Sequence, residues 1–379
     1  MRRLTVVQLL PALESGGVER STLEIAAALV ERGHRALVVS AGGRLLPGLL
    51  ETGAEHVPLD IGAKSLLVLR HVPALRRLFA SQSVDIVHAR SRLPAWLALA
   101  ASSGLQGPRR PRLVTTMHGL NSPGRYSAVM TRGERVICVS ETVRRYLLHH
   151  YPGTDPQRLR VIARGIDPAR FPRVQQVDAA ARARLAGAHP ALGGQGPLLL
   201  LPGRGTRLKG HLDALQLLAS LRTDGRCDAR LWLPGAREPG RDAYIAEMET
   251  QAARLGVDRV VAFTPPVAAI AAAYAASDLV LQLSRKPEAF GRTVIEALAV
   301  GRPVLGWDHG GVGELLAALQ PRGAVAAFDP QRLLAGARAL LAQPPAPLAT
   351  IPHTLRAMQD ATLALYQELA DDPSTRHSG

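Results

Sequence analysis

The segment EAFGRTVIEALAVGRPVLGWDHGG, residues 288–311, runs from loop to helix to turn to strand to glycine-rich turn. A short apolar strand following directly on a helix is the grammar of a parallel sheet with crossover helices. The same segment carries two carboxylates, Glu288 and Glu296, on either side of a loop-to-helix junction at Gly291. Backbone N–H groups at a fresh helix N-terminus favour phosphate oxygens, and carboxylates accept hydrogen bonds from sugar hydroxyls. A ligand that is part sugar and part phosphate would find both kinds of contact here.

Outward from this segment the alternation continues. Asp278–Leu283 reads as a strand, preceded by helix Val267–Ala275, strand Arg259–Phe263, helix Asp242–Leu255, strand Ala229–Leu233, a helix from about Lys209 to Arg222 and strand Pro197–Leu201. A polar, alanine-rich stretch punctuated by Pro168, Pro172, Pro190, Gly193, Gly194 and Gly196 separates this half from an earlier one. There, strands are expected at Leu4–Leu10, His34–Ser40, Asp85–Ala89, Arg112–Met117, Arg135–Val139 and Arg160–Ala163, with helices at Val18–Arg32, Ser65–Ser81 and Pro94–Ser103. Pro352–Asp371 reads as a helix. The chain of 379 residues, 47% apolar, exceeds one comfortable core. The expected class is therefore α/β, with doubly wound Rossmann-like domains at 1–172 and 173–350, and with 351–379 forming a helix and a disordered tail. Ligands bind such sheets at the carboxyl ends of the strands, so functional motifs should fall just after strands.

The formal charge is +15, yet only Lys64, Lys209 and Lys286 are lysines. Arginine-heavy, alanine-heavy usage has two readings, a GC-rich coding sequence or pairing with phosphates and anionic lipid. In Lys64–Arg77, cationic Lys64, Arg70, Arg76 and Arg77 interleave with Leu66, Leu67, Leu69 and Leu75. That stretch reads either as an amphipathic element facing an anionic membrane surface or as an ordinary core-facing helix. Nucleic acid is not expected as a partner, because aromatics are 4% and no helix-turn-helix or RNA-binding signature occurs. Cys138 and Cys227 have neither metal-ligand spacing nor a disulfide framework, which suits a reducing cytoplasm. Leu4–Leu10 is too short for a signal peptide, and no apolar run reaches the roughly 20 residues that span a bilayer, so any membrane contact is expected to be peripheral.

Three further constellations fall after strands. Gly16 and Gly17 lie between the first strand and first helix, where they either admit a ligand anion or simply form the turn. The dinucleotide fingerprint G-x-G-x-x-G is absent there, which counts against a nicotinamide enzyme. GRGTRLKG, residues 203–210, places Arg204 and Lys209 on a glycine-rich turn where they can converge on a diphosphate or stay a solvated basic loop. It is not a Walker A loop. His118 follows strand Arg112–Met117 and could donate to a sugar or phosphate without fixed charge, although a histidine alone in that place is more often packed and hydrogen-bonded. Ser140 reads as an N-cap. Paired carboxylates such as Glu288 and Glu296 also serve as the acid and base of hydrolases, but those must flank one scissile bond. Counted from a helix starting near Arg292, Glu296 lies beyond the first turn, so the pair should lie along a ligand rather than across it.

Gly16-Gly17-x-Glu19, the Arg204 and Lys209 loop, the E-A-F-G-R run with Glu296, and Gly310-Gly311 with Glu314 together resemble the motifs of retaining GT-B glycosyltransferases, in particular family 4. The likeness covers nearly the whole chain and is strongest from Pro202 to Glu314. It implies two domains facing across a cleft, the first for the acceptor and the second for a nucleoside-diphosphate sugar, with the last helix crossing back to the first. It implies a metal-independent transfer, with retention, to a glycan or lipid-linked acceptor in lipopolysaccharide core or surface polysaccharide assembly. No cofactor is expected beyond the co-substrate, a UDP-sugar, and no Asp-x-Asp metal motif occurs. By resemblance Gly16, Gly17, Arg204, Lys209, Glu288, Phe290, Gly291 and Glu296 bind the donor. Catalytic roles fall to His118 and Glu288, which position the sugar, and to Arg204 and Lys209, which neutralise the leaving diphosphate. His88 matches another family pattern and reads as mainly structural. The chain departs from the family at Arg164, where asparagine is usual, and at Arg292, Leu283 and Pro265. A GT-B epimerase or phosphorylase, or a non-catalytic sugar-nucleotide-binding protein, remain the alternatives.

Overall fold

Strands such as LLL at 198–200 carry no polar face, so both sides must be covered by helices. The computed structural model describes residues 2–14, 16–63, 65–107, 110–223, 225 and 227–372 and places every such strand in a parallel sheet. Contacts divide the chain into two units. One runs to Arg164 and takes in the helix Leu355–Asp371; the other is Gly165–Thr354.

In the first unit the strands are β1 (Thr5–Leu9), β2 (Arg35–Ser40), β3 (Glu55–Pro58), β4 (Ile86–Ala89), β5 (Arg112–Met117), β6 (Arg135–Cys138) and β7 (Leu159–Val161). They pair in parallel in the order β3-β2-β1-β4-β5-β6-β7, so the winding reverses between β1 and β4. Helices α1 (Gly17–Glu31), α2 (Leu46–Glu51), α3 (Val72–Ser81), α4 (Arg92–Ser102) and α5 (Glu141–His150) connect them. Ser140 caps α5, its Oγ accepting from Val143 N at 3.1 Å. The core joins Val6, Ile25, Val38, Ile86 and Val114 to Met358, Leu363, Tyr366 and Leu369 of the last helix. His88 is fully buried in β4 and spans from the Tyr366 hydroxyl on that helix to Thr116 Oγ1 on β5.

The second unit contains α6 (Ala179–Ala188), β8 (Leu198–Leu200), α7 (His211–Arg222), β9 (Arg230–Pro234), α8 (Asp242–Arg254), β10 (Val261–Thr264), α9 (Ile270–Ala276) and β11 (Leu279–Gln282). It continues with α10 (Arg292–Val300), β12 (Val304–Trp307), α11 (Gly310–Leu319), β13 (Ala324–Val325) and α12 (Pro330–Ala342), before α13 (Leu355–Asp371) rejoins the first unit. The sheet order is β10-β9-β8-β11-β12-β13, again parallel, with Leu199 in register with both Leu231 and Leu279. Here the winding reverses between β8 and β11, the place where doubly wound sheets bind ligands.

The domain junction and one expected helix are placed differently from the sequence reading. The junction expected at 172/173 falls at Arg164/Gly165, because Ile166 N donates to His353 O (3.1 Å) and the Phe171 ring packs on Tyr274, both in the second unit. The helix expected over Ser65–Ser81 is broken: Leu66–His71 form a tight 3₁₀ turn and α3 starts at Val72 with Pro73 in its first turn. Leu75 and Phe79 enter the core, while Arg76 donates to the carbonyls of Ala100 and Ala101, so α3 is a core-facing helix. Leu67 and Leu69 on the preceding turn stay 69% and 54% exposed. Lys64, Ser15 and the tail after Asp372 lie outside the described residues.

Candidate functional site

The loops leaving β8 and β11 meet at the switch point of the second sheet. What lets them meet is Gly210, whose φ of +76° and position admit no side chain: a Cβ there would lie 2.0 Å from the carbonyl oxygen of Leu283. The turn Arg207–Lys209 therefore rests against the exit of β11, and Lys209 Nζ reaches Glu288 Oε1 at 2.7 Å. Glu288 also accepts from the Ser284 hydroxyl, and His309 Nε2 donates to the Ser284 carbonyl at 2.8 Å. The start of α11, where the sequence reading expected a glycine-rich turn, holds the same loop from behind. Gly311 N donates to Glu288 O at 2.7 Å, and a Cβ at Gly311 would stand 2.5 Å from Phe290 Cα. Burial alone would push the Glu288 carboxyl up, but the Lys209 charge and hydrogen bonds from Lys209 and Ser284 outweigh it and hold the group below the usual carboxylate range. Arg204, on the β8 loop, is exposed and makes no side-chain hydrogen bond or ion pair among the described residues.

Beyond Glu288 the chain turns through Gly291, φ +104°, into α10, whose N-terminus has no side-chain cap. In its first turn Val294 N donates to Gly291 O at 2.9 Å, and the positive end of the helix dipole favours an anion there. One turn on, Glu296 is 9% exposed and already bound on both oxygens, by the Tyr274 hydroxyl at 2.9 Å and Arg292 Nε at 3.0 Å. Burial and the neighbouring Glu296 carboxylate push the Tyr274 hydroxyl well above its ordinary value, so it stays a donor. Phe290 is buried with its ring edge-on to His353, centroids 5.7 Å apart. Arg285 pairs with Asp213 and stacks over Phe328. No cluster of three or more His, Cys, Asp or Glu side chains suited to a metal occurs among the described residues.

Gly16, Gly17 and His118 belong to the first unit. Gly16, φ +146°, stands at the cap of α1 without a side-chain hydrogen bond. His118 follows β5, and its Nδ1 accepts from Arg164 Nη2; Arg164 Nη1 donates to Ser21 Oγ. Arg90, 3% exposed, donates to the same Ser21 Oγ (3.1 Å) and, through Nε, to Gln8 Oε1 (3.0 Å). Desolvation draws the Arg90 guanidinium down to about 10. Burial, then the charges of Arg164 and Arg90, hold the His118 imidazole well below its usual range. Of the partners named here, Tyr274 gave no sequence signal among its alanines, whereas Arg164 was visible as a departure from the family pattern.

Two family models match: Glycosyltransferase Family 4 over residues 15–170 and Glycosyl transferases group 1 over residues 188–354. A D-inositol 3-phosphate glycosyltransferase of Jonesia denitrificans is 33% identical over 171 residues, 44% of this chain and only 39% of that relative's own length. The crystal structure of a glycosyltransferase from Rickettsia africae superposes with a TM-score of 0.85 at 25% identity, covering 98% of this chain and 100% of that one. Anabaena HepE, crystallised with UDP and glucose, superposes with a TM-score of 0.74 at 20% identity over 98% and 100% of the two chains. With two Rossmann-like parallel sheets and family matches over both halves, the chain belongs to the GT-B glycosyltransferases of the family 4 type.

Proposed function

We propose that the protein transfers a sugar from a nucleoside-diphosphate sugar to a glycan or lipid-linked acceptor, with retention and without a metal ion, in lipopolysaccharide core or surface polysaccharide assembly. The observation that carries this reading is the Lys209–Glu288 pair, held at the switch point of the second sheet and followed by the uncapped start of α10. Lys209 and the exposed Arg204 would stabilise the charge that builds on the departing diphosphate. Glu288 would accept hydroxyls of the sugar and Glu296 a ribose hydroxyl. In the step, the bond from sugar C1 to the diphosphate oxygen breaks with its electron pair going to that oxygen. The acceptor oxygen bonds to C1 on the same face, and its proton passes to the leaving diphosphate.

The relatives' name adds inositol 3-phosphate to the acceptors worth testing, and the HepE title suggests UDP-glucose as the first donor. The exposed Leu67 and Leu69 beside Arg70 would provide a peripheral contact with an anionic membrane. Incubation with UDP-sugars and an acceptor panel in the presence of EDTA, with the product's anomeric configuration read by NMR, tests the proposal. An α-linked product from an α-linked donor supports it. A β-linked product, dependence on a divalent metal, or turnover that needs only inorganic phosphate overturns it.

A further inference from the structure

We infer that Arg164 fixes His118 as a neutral imidazole protonated on Nε2, which makes His118 a hydrogen-bond donor and bars it from acting as a general base. A guanidinium has five N–H donors and no acceptor. Its contact with His118 Nδ1 therefore requires a lone pair on that nitrogen, and the neutral ring must carry its proton on Nε2. Nε2 is buried and has no hydrogen-bond partner among the described residues, so its N–H is an unused donor. The charged and titratable groups that act on the ring are Arg164, Arg90 and His88. None of them can stabilise a second proton on it. Arg164 is in turn oriented by Ser21, whose Oγ also accepts from Arg90, and by Met358 Sδ at 3.8 Å.

A side chain such as asparagine, with both a donor and an acceptor, would leave either tautomer open at this contact; arginine leaves one. For the transfer proposed above, on which this consequence rests, the acceptor proton has no free lone pair to reach on His118. Nε2 already bears hydrogen and Nδ1 is occupied. The geometry thus makes Arg164 a positioning residue for His118.

Long-range proton–nitrogen correlation spectra of ¹⁵N-histidine-labelled protein, without donor or acceptor, test the assignment, with the His118 signals identified by their loss in His118→Gln. Expected is a ring with an acceptor-type Nδ1 and a protonated Nε2, unchanged from about pH 8 down to about pH 5, below the ordinary histidine range. A protonated Nδ1, or a second proton taken up near the ordinary value of about 6.5, overturns the inference. In Arg164→Met, mixed tautomers and a titration moved up toward that value are expected, and an unchanged spectrum counts against Arg164. If that variant does not fold, the wild-type spectrum still decides. The pH profile of transfer adds an independent reading: flat through the histidine range in the wild type, with a new acid limb in Arg164→Met. Because the spectrum is recorded without ligands, its failure leaves the donor-site reading standing, and absence of nucleotide binding leaves the tautomer assignment standing.

Discussion

Breaking the Lys209–Glu288 pair should destabilise the second unit by an amount that depends on which partner is removed. The two side chains are 30% and 24% exposed. Lys209→Met leaves a poorly solvated carboxylate with the neutral donor Ser284 in place of the ammonium, at a cost of about 1–3 kcal/mol. Glu288→Gln keeps a hydrogen-bonding group for Ser284 and leaves an ammonium whose flexible stem can reach water, so it should cost about 1 kcal/mol or less. The double variant should cost less than the sum, by a coupling of roughly 1–2 kcal/mol. The sign with pH follows from the lowered carboxyl. The pair's stabilisation is complete above the unfolded value of about 4.5 and is lost as pH falls through the lower folded value. In Lys209→Met burial acts without the lysine, the carboxyl moves above its ordinary value, and the deficit relative to wild type shrinks as pH drops through it. Urea unfolding from pH 4 to 8, with the units fitted as separate transitions, measures this. Single costs that add within about 0.3 kcal/mol, or a deficit that ignores pH, would refute the pairing.

Gly210→Ala combines left-handed strain of about 1 kcal/mol with a clash against Leu283 O worth roughly 1–3 kcal/mol. The melting temperature of the second unit should fall by roughly 5–15 °C, and an unchanged melt would remove the close approach from the site's construction. Cys138 is buried with its thiol pushed up to about 12 by desolvation, so a thiol reagent at pH 8 should label only the part-exposed Cys227 in the folded protein. Rapid labelling of both would contradict the packing around β6. Flotation with anionic liposomes should weaken several-fold in Leu67→Ser/Leu69→Ser; equal flotation would withdraw that turn from the membrane proposal.

The doubly wound character was legible because buried parallel strands are apolar runs too short to be helices, as at Leu198–Leu200 and Leu279–Gln282. The elements that escaped lack that signature. β3, EHVP, has no buried residue and lies at the sheet edge, and β13 is two residues long. In α6 only Ala181 is buried, so its alanines and arginines carry no apolar stripe and read as a break between domains. The site divides in the same way. Lys209, Glu288 and Glu296 sit on motifs with local spacing. The bonds from Tyr274 to Glu296 and from Arg164 to His118 join residues 22 and 46 positions apart, and only the folded chain brings those partners together.

The donor site itself is tested most directly by calorimetric titration of UDP, GDP and ADP into the wild type and Lys209→Ala, with no metal added. Expected is a preference for one nucleotide and at least about tenfold weaker binding in the variant, the loss of one charge-assisted hydrogen bond. Binding of none of the three, or binding that Lys209→Ala leaves intact, would contradict a diphosphate held at the β8–β11 switch point.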